Sequence, residues 1–221
     1  MCGRFTRTTP IRVLATLFDF TEGPDLAPRY NIAPTQSIAA VRNVAEAPRR
    51  ELAMLRWGLI PGWADDPKIS YSLINARSET AATKPAFRAA FKARRCLILA
   101  DGFYEWQKQG KHKQPYCLRR QDGKPFAFAG LWERWHPGEE DAVESATILT
   151  TSANDAMKPI HERMPVILSP ADYPRWLEPK TPRAELESLL VPCPSDELTA
   201  FPVSKWVNDP KHDDARCLEP A

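Results

Sequence analysis

Twenty-two prolines are scattered through the 221 residues of this chain, and none of them gather into a linker. Proline fixes φ and lacks an N–H, so each one interrupts regular structure or marks a turn. The reading is a single irregular domain, residues 1–221, of many turns and short elements. The length suffices for one sizeable core without requiring a second domain. A composition 43% apolar and 26% charged is that of a soluble globular protein. No apolar run reaches membrane-spanning length, and no signal peptide is recognisable. The cytosol is therefore the expected compartment, or the nucleus in a eukaryote.

The formal charge of +2 is too small to indicate a nucleic-acid partner. The division of the cations says more: 19 arginines stand against 11 lysines. Arginine offers a planar fork suited to phosphate, although surface salt bridges use it as well. The five cysteines are odd in number and far apart, with no CxxC pair, and the four histidines complete no zinc spacing. Reduced thiols are expected, and no metal or cofactor.

Taken in order, Ile11 to Phe20 reads as a helix with Thr9 able to cap it and Pro10 in its first turn. Ser37–Val44 and Glu51–Leu59 read as strands, and Arg94–Ala100 as a buried one. Gln114–Arg119 and Lys124–Trp132 look like two strands joined as a hairpin around Gln121-Asp122-Gly123. Another strand is expected at Ala146–Thr151, then a short helix capped by Ser152. Helices follow from Pro170 to Leu177, capped by Ser169, and from Pro182 to Leu190, capped by Thr181. Leu198–Ser204 should be a last strand, with the tail from Asn208 extended or irregular. Short, mostly antiparallel strands with peripheral helices indicate an α+β fold around a curved or barrel-like sheet.

Chemistry concentrates in a few stretches. Cys2 follows Met1 directly, and removal of that methionine would give it a free α-amine beside its thiol. An α-amine titrates near about 7.7–8.0 against about 10.4 for lysine, so far more of it is nucleophilic at neutral pH. Such an amine attacks an aldehyde, and the thiol can then close a five-membered thiazolidine. A buried start that happens to contain cysteine is the plainer alternative. Trp57 and Trp63, in Trp-Gly-Leu-Ile-Pro-Gly-Trp, can stack on bases or fill the core. Asn75, Arg77 and Glu79 place an amide, a guanidinium and a carboxylate within five residues. Glu105, between Tyr104 and Trp106, is placed for a desolvated acid, or for a surface glutamate beside half-buried rings. His161 sits in a turn where it can exchange protons or simply be solvated.

Six motifs, in order, change the weight of these residues: Met-Cys-Gly-Arg-Phe, Tyr-Asn-Ile-Ala-Pro, Trp-Gly-Leu-Ile-Pro-Gly-Trp, Ile-Asn-Ala-Arg-Ser-Glu-Thr, Asp-Gly-Phe-Tyr-Glu-Trp and Ile-His-Glu-Arg-Met-Pro. Over roughly residues 1–207 the chain resembles the SOS response-associated peptidase (SRAP) family, the abasic-site processing proteins. The resemblance implies binding of single-stranded DNA and a covalent crosslink between Cys2 and the aldehyde of a ring-opened abasic site. It implies Asn75 positioning the Cys2 amine, Glu105 as general acid/base and His161 as proton carrier. Arg4, Arg77 and Arg163 would meet phosphates, and Trp106 or Trp63 would stack or wedge. It further implies a monomer, self-processing by loss of Met1 and a minor strand-cleaving lyase outcome.

Two other readings remain open on sequence. An N-terminal-nucleophile amidohydrolase or glutaminase would also begin Met-Cys-Gly, and ammonia release from glutamine would identify it. A non-catalytic single-stranded DNA-binding module would need the arginines and aromatics but not Cys2, Asn75, Glu105 and His161 together.

Overall fold

Every residue from Arg95 to Ala100 is buried, because this strand is covered on both faces, as its uninterrupted apolar sequence requires. The computed structural model describes residues 2–21, 23–44 and 49–221. Its elements run β1 (Arg4–Arg7), α1 (Ile11–Phe18), β2 (Arg29–Ile32), β3 (Ser37–Asn43), β4 (Arg50–Trp57), β5 (Asn75–Arg77), α2 (Ser78–Ala81), α3 (Arg88–Ala93), β6 (Arg95–Ala100) and β7 (Gly102–Gln109). They continue with β8 (His112–Arg120), β9 (Phe126–Trp135), β10 (Val143–Ser152), β11 (Arg163–Pro165), β12 (Ile167–Leu168), α4 (Tyr173–Leu177), α5 (Arg183–Ser188) and β13 (Leu198–Pro202).

Strands β10, β4, β3, β6 and β9 pair in succession, and β9 pairs back onto β10, closing a ring. A second sheet has the order β13-β8-β7-β1-β2. All pairs are antiparallel except β10 with β4 and with β5. The fold is α+β with a barrel-like sheet, as the short alternating strands indicate. Successive residues of each ring strand face opposite ways. Ala39, Val41, Leu97, Leu99, Ala127 and Ala129 pack beneath the helices with Phe91, Trp176 and Leu186. Ala40, Cys96, Ile98, Phe126 and Phe128 pack instead on Cys2, Phe5 and Phe103 of the second sheet.

Several local expectations need correction. Gln121-Asp122-Gly123 does turn the chain, with Asp122 accepting from Arg120 and from the Lys124 amide, but it joins no hairpin. β8 pairs with β7 and β13, whereas β9 belongs to the ring, so the turn carries the chain from one sheet to the other. The real hairpin is β7–β8, turning at Gly110. Thr9 does not cap α1: its hydroxyl bonds Asp101, which also takes the Thr8 and Thr9 amides and ties the helix entry to β6–β7. Neither Ser169 nor Thr181 caps a helix; Thr181 donates to the Arg175 carbonyl. The stretch after Ser152 is a turn and not a helix. The tail from Asn208 is irregular, as expected, but it is seated: 3-10 turns at Lys205–Asn208 and Ala215–Leu218 fold it onto β2 and β8. No helix among the described residues is long and apolar enough to cross a membrane.

Candidate active site

β1 lies between β2 and β7, with Arg4 opposite Tyr104 and Phe5 opposite Phe103 and Ile32. Phe5 anchors it, meeting Trp57 and Phe128 edge-on at centroid distances of 5.1 and 5.7 Å. This anchoring draws Cys2, two residues before the strand, fully into the core. Burial, followed by the nearby negative charge of Glu105, pushes the Cys2 thiol far above its ordinary pKa. At neutral pH it is a thiol, not a thiolate.

Asn75 reaches Cys2 from the ring. β5 runs parallel to β10, with Asn75 beside Ile148, and the Trp57 indole N–H holds the Ile74 carbonyl at 2.9 Å. From there the Asn75 Nδ2 donates to the Cys2 carbonyl at 2.8 Å. A carbonyl can only accept, so this bond fixes the orientation of the amide. Its Oδ1 is buried and takes no donor among the described residues.

Glu105 is 4% exposed on β7. His161 follows the turn after β10, and its Nδ1 receives the Arg163 backbone N–H at 2.9 Å. The same Nδ1 faces the Arg163 carbonyl oxygen at 3.2 Å, so it accepts from the amide in one tautomer and donates to the carbonyl in the other. Glu105, His161, Gly3, Arg4 and Trp106 line one cleft of about 760 Å³; Cys2, the chain neighbour of Gly3, and Asn75 are not part of its lining, and Cys2 is fully buried.

Arg4 sits at the edge of this cleft. Its guanidinium donates to Asn31 Oδ1 at 2.8 Å and to the Val207 carbonyl at 2.9 Å, and it lies 5.8 Å from the Trp106 ring. These acceptors are neutral, and the charge is offset only in part, by the nearby Asp209 carboxylate. Trp106 donates from Nε1 to Asn208 Oδ1 at 2.8 Å. The tail thus forms a wall of the cleft through Lys205 and Asn208. Sequence reading missed these two, and also Lys111, His112 and Lys113 of the β7–β8 turn. The run Lys108-Gln-Gly-Lys-His-Lys113 was a readable signal for a cationic turn.

The remaining residues expected at the site lie outside the cleft lining. Arg77 is exposed on β5, and no ion pair among the described residues involves it. Arg163 forms a two-pronged pair with Glu79 at 2.6 and 3.0 Å and donates to the Thr150 carbonyl at 2.6 Å. This pair holds the Glu79 carboxyl below its ordinary pKa. Of the two tryptophans, Trp57 is fully buried, whereas Trp63 is 61% exposed.

A larger cleft of about 1070 Å³ lies at the far ends of β3 and β9. It contains none of Cys2, Asn75, Glu105 and His161, and several of its arginines are matched by carboxylates: Arg42 by Glu51 and Glu144, Arg134 by Glu144, and Arg94 by Glu133. His136, Glu139 and Asp141 bring three potential metal-ligand atoms within 4.8 Å of one another on an exposed loop that shares no residue with the Cys2 cleft.

The family model for the SOS response associated peptidase (SRAP) matches residues 1–210. The chain belongs to the SRAP family. SRAP relatives align over its full length: the abasic site processing protein YoaM of Bacillus subtilis is 44% identical, over 99% of this chain and 98% of the relative. YedK of Escherichia coli, named in the same way, is 33% identical over the whole of both chains. The abasic site processing protein HMCES of Xenopus tropicalis is 34% identical over 86% of this chain and 65% of its own length. A crystal structure of a Bacteroides thetaiotaomicron protein superposes with a TM-score of 0.89 at 25% identity, covering all of both chains. The SRAP match ends at residue 210, after the wall residues Lys205 and Asn208.

Proposed function

We propose that this protein captures abasic sites in single-stranded DNA by forming a thiazolidine at Cys2. The observation that carries the reading is the setting of one buried cysteine: the Asn75 amide bonded to its backbone, and Glu105 and His161 lining a cleft with its chain neighbour Gly3. The names of the relatives support abasic sites as the target.

The chemistry requires removal of Met1, which lies outside the described residues, and self-processing of that bond is part of the proposal. The freed Cys2 amine would find an acceptor in the buried Asn75 Oδ1, which holds it in place. Glu105 donates a proton to the ring oxygen as the closed sugar opens, and the anomeric hydroxyl proton passes to His161 as the aldehyde forms. The amine adds to the aldehyde carbon, and the oxygen leaves as water, giving a protonated Schiff base. His161 returns its proton to the departing oxygen. The thiol then adds to the iminium carbon: the C–S bond forms, the thiol proton leaves to the Glu105 carboxylate, and the C=N electron pair returns to nitrogen as the C=N becomes C–N. A raised thiol pKa sets this order, because the thiol stays protonated until the neighbouring iminium charge favours its ionisation. A Schiff base that loses the 3′ phosphate by β-elimination before ring closure gives the minor lyase outcome. The protein acts as a monomer in the cytosol, on DNA at the nucleoid.

A denaturing gel tests the reading. Protein verified by intact mass to lack Met1, mixed with single-stranded DNA carrying one abasic site, should give a heat-stable shifted band. Cys2→Ser should lose that band while retaining noncovalent binding, and Glu105→Gln should slow crosslinking by about 10²-fold or more with little change in affinity. No shifted band from processed wild-type protein would end the proposal.

A further inference from the structure

Arg4, Lys111, Lys113 and Lys205 line the Cys2 cleft, and the only carboxylate facing them there is Glu105, buried at its base. Four cations against one carboxylate give this lining a balance of +3, while the whole chain carries +2. All other residues together therefore sum to −1. The contrast with the rest of the surface is sharp. Arg42, Arg94, Arg120, Arg134, Arg163, Arg175, Arg183 and Arg216 each have a carboxylate partner. Among the described residues no ion pair or hydrogen bond engages the ammonium groups of Lys111, Lys113 or Lys205.

Two chain segments bring these lysines together. The β7–β8 hairpin turns at Gly110 and presents Lys111 and Lys113, both exposed. The tail passes beside the base of β8, where the Gln114 side chain donates to the Val203 carbonyl at 2.9 Å and the Val203 amide donates to the Pro115 carbonyl at 3.0 Å. This contact places Lys205 next to the Lys113 end of the hairpin. Like charges held together without counter-charges raise the local potential and cost free energy in the isolated protein. A row of phosphates would offset that cost. The cations are lysines, which act as point charges and impose no bidentate geometry, so they suit a flexible backbone whose phosphates vary in position.

We infer that Lys111, Lys113 and Lys205 form a phosphate rail along which a single-stranded polynucleotide leaves the Cys2 cleft. The inference rests on the proposed DNA reading and adds the route of the strand to it. The rail acts in noncovalent binding and plays no part in the bond-forming steps.

The test is the salt dependence of affinity for an unmodified single-stranded oligonucleotide, which cannot crosslink, measured by fluorescence anisotropy. Each phosphate contact on a single strand contributes about −0.7 to the slope of log K against log salt. The variant K111Q/K113Q/K205Q should therefore flatten the slope by about 2 and lose affinity on the order of tenfold or more at low salt. All three side chains are exposed, and an unchanged thermal melt verifies folding. The control K92Q/K124Q/K180Q removes the same charge from exposed positions outside the cleft and should leave the slope unchanged. If wild type binds and crosslinks but the rail variant keeps its slope, or the control flattens equally, the rail is wrong and the DNA reading survives. If wild type shows no affinity for single-stranded DNA, both fall.

Discussion

At the scale of the residue, the site depends on how burial treats sulfur. All five cysteines are free and buried. Desolvation raises the Cys96, Cys117 and Cys193 thiols to about 12 and the Cys2 thiol as well. Thiolate is the reactive form, so at pH 8 the native protein should release almost no chromophore from an aromatic disulfide reagent, and five equivalents once unfolded in guanidinium. Rapid native reaction of one thiol would show that Cys2 is more open than its burial indicates. Cys2, Glu105 and His161 were legible as candidates in the motifs. Their partners were not. Arg163 reads as a free cation in sequence because Glu79, the carboxylate that engages it, is 84 residues away. Likewise the Arg163 backbone amide and carbonyl that face His161 Nδ1 follow from the path of the turn, which no sequence displays.

At the scale of the element, strands were legible wherever side-chain chemistry alone decides. The apolar run of β6 and the β-branched and aromatic content of β3 and β4 suffice, because burial on one or both faces dictates such residues. Pairing was not legible. Turn chemistry at Gln121-Asp122-Gly123 says that the chain reverses, but which strands then meet depends on the closed ring, a nonlocal property. The segment after β4 shows what such a loop can do. Gly58 has φ +119, and a Cβ there would lie 2.7 Å from the Ser70 carbonyl oxygen. The adjacent Trp57 holds Ile74 and, through it, the start of β5 with Asn75. Gly58→Ala should destabilise the fold by about 3 kcal/mol in urea titration, from backbone strain plus overlap with a main-chain atom. A loss under about 0.5 kcal/mol, the range of an ordinary surface substitution, would show that this turn relaxes freely.

At the scale of the whole molecule, composition hides the organisation that matters: a modest overall charge coexists with a concentrated cationic cleft. The tail is the clearest case of structure invisible in sequence. It was expected to be irregular because it has no apolar periodicity, yet polar contacts seat it. Asn31 Nδ2 donates to the carbonyls of Val207, Asp209 and His212, and Asp213 accepts the Tyr30 and Asn31 amides and pairs with Arg29. Trp206 stacks on His212 at 3.4 Å, with Arg216 over its ring. Ending the chain after Val203 should lower the melting temperature on the order of 5–10 °C and abolish measurable affinity for single-stranded DNA. Calorimetry and anisotropy matching the full chain would show that the tail is dispensable to the site.

The seating of Arg4 against Val207, 203 residues later, also has a consequence in time. A ribosome delivers β1 first, its neighbour β7 about halfway through synthesis, and the tail last, so the cavity over Cys2 closes only when translation is nearly finished. An aminopeptidase that must grip both sides of the Met1–Cys2 bond has access during that interval, and afterwards Cys2 is shut inside. On the proposed chemistry, which needs that methionine gone, removal by a separate enzyme fits the nascent chain, before the tail is made.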